Sequence, residues 1–359
     1  MTILPSPAEH LLNWYRQNQR PLPWRDEPTP YRVWISETML QQTRIEAARS
    51  YFVRFVQELP DVPALADVSD DRLMKLWEGL GYYSRARNLK KAAQILMRDF
   101  DGALPADYDA LSSLPGIGPY TAGAVASLAF GLPYPAVDGN VLRVAARLCD
   151  YSEDVLAPSS RRELTEQVRL WLPSEAPGMF NQAIMELGET VCLPRTAPHC
   201  EQCPLYGICL GASRGTAAQL PVRSPRTARR VEKRTVFVCL SDASADRPPQ
   251  VLLRKRPDTG LLAGLWELPN LPAESLTSPE DWAAQLGLSV RKIVPLPAGR
   301  HLFTHVEWQM TGLALLCRAP VPVENGVWAT EAQLRKIYAL PSAFRVYSRA
   351  LPAWLHQNE

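Results

Sequence analysis

A long apolar run is the most conspicuous absence in this chain. Its 359 residues contain no stretch of about 18 consecutive apolar residues, the length that a membrane-spanning helix requires. The first residues, MTILPSPAEHLLNWY, also lack the basic region followed by an apolar stretch that is typical of a signal peptide. We therefore expect a cytoplasmic protein with no membrane partner.

An excess of charge of one sign is missing as well. The 39 Lys and Arg residues and the 37 Asp and Glu residues leave a net charge of +2, so overall charge indicates no class of partner. Positive charge is concentrated between Arg214 and Arg234, where basic residues are opposed only by Glu232. Such a run is usually a solvated linker, and contact with phosphates or with a partner protein is the alternative.

Cysteine is scarce except at one place. Three cysteines stand alone in apolar or strand-like contexts and are expected to be buried, reduced thiols: Cys149, Cys239 and Cys317. The other four have the spacing C-x7-C-x2-C-x5-C, which indicates one soft-metal site: Cys192, Cys200, Cys203 and Cys209. An all-cysteine quartet suits either a [4Fe–4S] cluster or a structural zinc ion, although the unequal spacing differs from the paired cysteines of zinc ribbons.

Apolar periodicity divides the chain into two domains joined by a linker. Residues 1–210 show helical spacing, with helices predicted at 7–18, 30–57, 70–78, 85–99, 120–130, 139–149, 159–172 and 180–190. Residues 211–231 have no period and are predicted to be the linker. Residues 232–359 are predicted to hold strands at 235–240, 251–254, 301–310 and 313–317 and helices at 280–286 and 330–338. The predicted fold class is multidomain, an all-α domain followed by an α+β domain.

Two glycines mark a candidate hairpin between helices. In LPGIG, Gly116 and Gly118 allow a tight turn whose backbone N–H groups can hold a phosphate at the start of the next helix. From this motif alone, a plain corner between two helices is the alternative. In GLGYYSRAR, at residues 79–87, the tyrosines suit core packing or base stacking, and the arginines suit phosphate pairing.

Two carboxylates stand in motifs that suit acid–base chemistry. Glu37 lies among apolar residues in WISETMLQQT, where a carboxyl group is either solvated or held with a raised pKa, ready to donate a proton. Asp138 lies in AVDGNV, directly before a predicted helix, where capping the helix is the simpler role.

Taken together, the motifs resemble those of one family. PLPWR, PYRVWISETMLQQTR, WEGLGYYSRARNL, LPGIGPYTAGAV, AVDGNVLRV and FNQAIMELG, followed by the cysteine quartet, are similar to the adenine DNA glycosylases called MutY, a branch of the helix-hairpin-helix glycosylase superfamily. The similarity covers nearly all of residues 10–210 and resumes in the C-terminal half. It implies a nucleoid-associated base-excision enzyme that acts on double-stranded DNA with 8-oxoguanine:adenine or guanine:adenine mispairs.

The resemblance also implies catalytic roles. Glu37 matches the general acid that protonates adenine N7 and later takes a proton from the attacking water. Asp138 matches the carboxylate that stabilises the oxocarbenium-like sugar, as in the two-carboxylate chemistry of sugar hydrolases. Tyr120 and Asn140 match residues that assist at the sugar and hold the carboxylates. The base must first leave the stack, because its glycosidic bond cannot be reached within a duplex.

Other positions match residues around the flipped base. Arg20, Trp24 and Gln182 match the lining of the adenine pocket. Gln42 and Tyr82 match side chains that wedge into the DNA helix. The hairpin glycines match a contact with the DNA backbone.

Position 120 separates this family from a related one. The endonuclease III family has a lysine in the slot of Tyr120, and that amine forms a Schiff base. In this chain the only lysines before residue 210 are Lys75, Lys90 and Lys91, all outside the hairpin. We therefore expect a monofunctional glycosylase that leaves an abasic site and has little or no lyase activity.

For the cysteine quartet, the resemblance implies a [4Fe–4S] cluster with a structural role. The family spacing is usually C-x6-C-x2-C-x5-C, so this chain has one extra residue in its first interval. A loop can absorb one residue. The insertion leaves open whether Arg195 in this loop reaches a phosphate.

The C-terminal half resembles Nudix hydrolases at residues 251–256 and 260–269. The R-E-x-x-E-E helix that binds magnesium is absent after Trp266, so we expect a Nudix-like fold without pyrophosphatase activity. In the adenine glycosylases this domain recognises 8-oxoguanine. The matching loop is Phe303-Thr304-His305, in which Thr304 keeps the hydroxyl of the usual serine and His305 contacts the base edge.

Two alternatives stand beside this interpretation. A pyrimidine-lesion or thymine-mismatch glycosylase on the same scaffold is disfavoured by Tyr120 and by the 8-oxoguanine-reading domain. A DNA-binding scaffold without catalysis is disfavoured by the presence of both Glu37 and Asp138. We expect a monomer, and the linker leaves open a repair or clamp protein as a partner.

Overall fold

The computed structural model describes residues 6–194, 197–225, 228–244 and 247–356. The chain forms two units. The first contains the residues up to Val68 together with Arg87–Pro225, and the second contains Ser69–Ala86 together with the residues after Pro225. Arg195 and Arg226 lie outside the described residues. None of the helices in the described ranges has the length and apolar content needed to cross a bilayer.

Helices make up the first half of the chain, as predicted. In chain order they are α1 (Ala8–Asn18), α2 (Pro23–Asp26), α3 (Pro30–Leu40), α4 (Ile45–Glu58), α5 (Val62–Asp67), α6 (Asp70–Trp77), α7 (Ser84–Asp99), α8 (Tyr108–Ser113), α9 (Pro119–Phe130), α10 (Gly139–Leu148), α11 (Pro158–Trp171), α12 (Pro177–Thr190) and α13 (Leu210–Ser213). The single helix predicted over 30–57 was wrong. The chain turns between α3 and α4 at Gln42, whose φ of 58° is left-handed, and no glycine or proline marks this break.

A buried amide and a close backbone approach hold the centre of the first unit. Asn181 on α12 is fully buried, and its Nδ2 donates to Ser127 Oγ at 2.8 Å and to the carbonyl oxygen of Tyr134 at 2.9 Å. A Cβ atom added at Gly123 of α9 would lie 2.3 Å from the carbonyl oxygen of Pro135, so a side chain does not fit there. These contacts tie α9, α12 and the segment before Asp138 together.

The second unit contains a mixed sheet, which confirms the predicted α+β class. Its strands are β1 (Arg230–Ser241), β2 (Gln250–Lys255), β3 (Trp266–Glu267), β4 (Asn270–Pro272), β5 (Val290–Leu302), β6 (Val306–Cys317) and β7 (Gly326–Ala329). The order is β3-β2-β1-β6-β5, with β4 paired to β1 and β7 paired to β2, and β1 and β6 are parallel. The helices are α14 (Pro279–Gln285), α15 (Glu331–Lys336), α16 (Arg345–Ser348) and α17 (Leu351–His356).

Both faces of this sheet are covered. Val236 and Val238 of β1 pack into one apolar cluster, and Phe237 and Cys239 between them pack into another. This is why β1 reads as a continuous apolar run rather than an alternating one. All seven cysteines are described and none is in a disulfide; Cys239 and Cys317 are buried and Cys149 is half-buried.

The predicted strand pair at 301–310 and 313–317 was wrong in the bounds of both strands. The hairpin is formed by β5 and β6, and its tip lies at residues 303–305. Thr311-Gly312 suggested a break within what is one strand. Position 312 requires a glycine because the Tyr347 ring packs directly over it. A Cβ atom added there would lie 2.3 Å from Tyr347 Cε1.

The boundary between the units differs from the predicted linker at 211–231. Leu210–Ser213 is helical, and the carbonyl oxygen of buried Leu220 accepts a hydrogen bond from Arg147 Nε at 2.8 Å, so this part of the chain still packs on the first unit. The segment Ser69–Ala86 belongs to the second unit. There Lys75 Nζ donates to the carbonyl oxygen of Leu334 at 2.7 Å.

Candidate active site

A groove of about 1550 Å³ opens in the first unit. Nine of the side chains and glycines that the sequence predicted for the site line it, although they come from five helices and the segments between them. They are Arg20, Trp24, Glu37, Gln42, Gly118, Tyr120, Asp138, Asn140 and Gln182. Among the residues that line this groove there is no lysine.

Glu37 projects from α3, a helix that is almost entirely buried. The N-terminus of α3 is capped by Thr29, whose Oγ1 accepts a hydrogen bond from the backbone N–H of Arg32 at 3.3 Å. Glu37 is 6% exposed, and burial raises its pKa to about 7. The Tyr120 hydroxyl donates a hydrogen bond to Glu37 Oε2, which opposes that rise, and the charge of Asp138 adds to it. Near neutral pH, Glu37 is therefore poised to hold or release a proton.

Asp138 caps α10, which is the simpler role the sequence allowed. Its Oδ1 accepts from the backbone N–H groups of Asn140 and Val141, each at 2.8 Å, and its Oδ2 accepts from Asn140 Nδ2 at 2.9 Å. Burial raises the pKa of Asp138, and these hydrogen bonds oppose that rise. The capping geometry also fixes the carboxylate in the groove.

The wall formed by α1, α2 and α12 contains charges that the sequence reasoning missed. Glu186 is almost fully buried, with Arg20 Nε at 2.5 Å and Arg25 Nη2 at 2.8 Å. Although burial opposes it, the two guanidinium groups hold the pKa of Glu186 below its usual value. The hydroxyl of Tyr15 donates to Gln182 Oε1. Arg25 and Glu186 stand in the quoted motifs PLPWR and FNQAIMELG, so the signal was present but unused.

The glycine hairpin leads into α9. Gly116 has a left-handed φ of 79°, and Gly118 is the N-cap position of α9, where no side chain supplies a capping hydrogen bond. Trp24 on α2 is buried and meets Phe52 edge-on at 5.5 Å between ring centroids. Gln42 follows α3 at the turn described above, so its left-handed backbone sets its side chain at the groove.

The remaining predicted side chains lie in the second unit. Tyr82 is 46% exposed with a left-handed φ of 47°, and its hydroxyl is 3.4 Å from Thr304 Oγ1. Thr304 and His305 are exposed at the tip of the β5–β6 hairpin. Arg85 is only 7% exposed, and its guanidinium group stacks over the rings of Trp77 and Tyr82. The Arg85 guanidinium group is therefore engaged within the second unit, and phosphate pairing by the arginines of this motif stays a prediction.

The four cysteines of the quartet line a separate, small cavity of about 30 Å³. Arg147 Nη1 donates to Cys192 Sγ at 3.2 Å. Within the described ranges, no three His, Cys, Asp or Glu side chains stand close enough together to hold a single metal ion.

Comparison with known proteins covers both units. Residues 35–173 match the family model described as HhH-GPD superfamily base excision DNA repair protein, and residues 243–350 match the NUDIX domain. A solved structure of a thermostable thymine-DNA glycosylase is 26% identical, with a TM-score of 0.52, and the match covers 58% of this chain and 95% of that one.

Two relatives match along almost the whole chain. The adenine DNA glycosylase of Mus musculus is 34% identical over 398 residues, covering 94% of this chain and 77% of its own length. The adenine DNA glycosylase of Homo sapiens is 35% identical over 408 residues, covering 95% of this chain and 74% of its own length. This similarity, together with a base-excision domain followed by a Nudix domain, shows that the chain belongs to the adenine DNA glycosylase family, a group of hydrolases that act in base excision repair.

Proposed function

We propose that this protein hydrolyses the N-glycosidic bond of adenine paired with 8-oxoguanine or guanine in double-stranded DNA and leaves an abasic site. The observation that carries this proposal is the buried Glu37, whose pKa of about 7 keeps a proton available beside Asp138. The target base must be turned out of the duplex to reach such a pair.

Glu37 supplies the proton in this mechanism. Adenine is a poor leaving group until its ring is protonated, and a general acid works best when its pKa lies near the working pH. Burial has brought Glu37 to that range. After departure of the base, the ionised carboxylate accepts a proton from the attacking water, while Tyr120 stabilises this form by its hydrogen bond.

Asp138 supplies the negative charge. Departure of the base leaves positive charge on the sugar, and a fixed carboxylate stabilises that charge without reorganisation. Asn140 and two backbone N–H groups hold Asp138 in place. Tyr120 lines the groove and no lysine does, so no amine is at hand there to form a Schiff base, which supports a monofunctional enzyme.

The four cysteines would hold a [4Fe–4S] cluster. All four cysteines line the same small cavity, and four cysteine thiolates are the ligand set that such a cluster takes. When bound, the cluster supplies a covalent staple for the loop rather than a chemical step. Iron and sulfide analysis of the purified protein tests this assignment, and zinc in their place would contradict it.

The lesion is read by the second unit in this proposal. Tyr82 and Thr304 form one exposed surface with His305 beside them. The hydroxyl and imidazole groups of this surface can form hydrogen bonds with the edge of 8-oxoguanine. The partner is DNA that contains the damaged pair.

Single-turnover excision tests the proposal. A duplex with one adenine opposite 8-oxoguanine should be cleaved only after alkali, because an abasic site is the product. Glu37→Gln should lose excision and keep binding, whereas Glu9→Gln, an exposed glutamate of α1 outside the groove, should retain excision. Cleavage without alkali, a covalent adduct trapped by borohydride, or excision of thymine in place of adenine would each contradict the assignment.

A further inference from the structure

Three exposed arginines line the same groove as Glu37 and Asp138: Arg161, Arg162 and Arg223, here called the arginine rim. Arg161 and Arg162 are the fourth and fifth residues of α11. Arg223 comes from the basic run that the sequence assigned to a linker. Its place at the groove therefore needs a structural explanation.

Two hydrogen bonds bring Arg223 to the start of α11. The backbone N–H of Val155 donates to the carbonyl oxygen of Val222 at 3.1 Å, and Ser224 Oγ donates to Asp154 Oδ2 at 2.5 Å. The two bonds flank Arg223 and attach its segment to the residues that lead into α11. The rim is thus assembled from two distant parts of the sequence.

The protein offsets the charge of the rim only in part, through the carboxylate of Asp154, which interacts electrostatically with Arg223. Among the described residues, no ion pair involves any of its three arginines. The nearby acidic groups are engaged elsewhere: Glu163 accepts from the Tyr151 hydroxyl at 2.9 Å, and Glu166 pairs with Arg169 at 2.5 Å. By contrast, Arg214 in the same basic run pairs with Asp150 at 2.8 Å.

We propose that the arginine rim binds phosphate groups of the DNA backbone. Three exposed guanidinium groups without a close ion pair, in a groove that Glu37 and Asp138 also line, suit a ligand that is anionic along its outside, and arginine matches phosphate oxygens in a bidentate geometry. Such contacts position the duplex and carry no sequence information. This inference rests on the proposed function, which makes duplex DNA the ligand.

The salt dependence of DNA binding tests the rim. Each neutralised phosphate contributes about 0.9 to the slope of log K against log salt concentration. In the full-length protein, combined Arg161→Gln, Arg162→Gln and Arg223→Gln should reduce this slope by about 2.7, for an undamaged duplex and for one with 8-oxoguanine:adenine alike. Between about 50 and 200 mM salt, the wild type should lose roughly 40-fold more affinity than the variant.

Two further variants separate charge at the rim from charge in general. Replacing three exposed arginines outside the groove changes the net charge equally and should leave the slope near the wild-type value: Arg16→Gln, Arg98→Gln and Arg335→Gln. Lysine at all three rim positions should keep most of the slope, because the effect depends on charge. Arg223→Gln alone should lower the slope by about 0.9.

The outcomes distinguish the rim from the proposed function. An unchanged slope in the glutamine variant, or an equal loss in the lysine variant, overturns the rim. Affinity lost only for the damaged duplex also overturns it, because phosphate contacts do not read the lesion. Adenine excision by the wild type is scored in the same samples. If the wild type removes no adenine while the slope effect persists, adenine is rejected as the excised base and the proposal for the rim still holds.

Discussion

Replacing Tyr120 with phenylalanine tests whether the proton on Glu37 drives excision. Burial raises the pKa of Glu37 to about 7, and the Tyr120 hydroxyl opposes this rise by donating a hydrogen bond to the ionised carboxylate. Phenylalanine keeps the ring and removes the donor. Burial then acts with less opposition, so the pKa of Glu37 should rise further.

The size of the shift follows from the hydrogen bond. A hydrogen bond to a charged group contributes about 1.5–3 kcal/mol, and one pKa unit corresponds to about 1.36 kcal/mol. Loss of the bond at a buried carboxyl should raise its pKa by roughly 1–2 units. Because the acid acts in its protonated form, excision should fall as pH rises above the pKa. The decline should therefore begin near pH 7 in the wild type and roughly at pH 8–9 in the variant.

The assay is single-turnover excision with enzyme in excess, measured from about pH 5 to about pH 10. The variant should be slower at its optimum, since Tyr120 is proposed to assist at the sugar, so the position of the decline is the informative quantity. Tyr31→Phe is the matched control: it removes a buried phenol hydrogen bond to the carbonyl oxygen of Leu59 at 2.7 Å, from the helix that carries Glu37 but outside the groove. A decline at unchanged or lower pH in the Tyr120 variant would refute the reasoning.

Three other substitutions follow from the same geometry. Asp138→Asn should abolish excision while mismatch binding in a filter or gel assay persists, because only the anion facing the sugar is lost; retained excision would refute that role. His305→Ala should narrow the preference for 8-oxoguanine over guanine by about 1–3 kcal/mol, and equal losses on both pairs would count against base-edge contact. Gly123→Ala should lower the free energy of unfolding by about 1–3 kcal/mol in urea, since its Cβ would lie 2.3 Å from a backbone oxygen; an unchanged midpoint would show that α9 can shift.

Local patterns predicted much of the molecule. Helical periodicity located most of the helices in the first half, and the β-branched run at 235–240 located the central strand. The motifs around Glu37 and Asp138 named two carboxylates that the fold does bring to one groove. Motifs succeed here because the chemistry needs particular side chains at particular backbone positions, and both are written locally.

Pairings between distant residues were less accessible. The salt bridges that join Arg20 and Arg25 to Glu186 span more than 160 positions, and nothing local indicates them. The turn at Gln42 has no glycine or proline to announce it. The bounds of the strands on either side of Thr304 depended on the pairing between β5 and β6, which cross-strand contacts decide.

The amino-acid sequence by itself determined the family, the two carboxylates, the cysteine quartet and the succession of a helical and a mixed domain. Only the tertiary structure decided that Ser69–Ala86 belongs with the C-terminal unit, that Arg223 lies at the groove, and that Glu37 has a pKa of about 7. The physical reason is the same in each case. Burial, charge pairing and the packing of one segment on another depend on neighbours brought close by folding, and their separation along the chain does not reveal them.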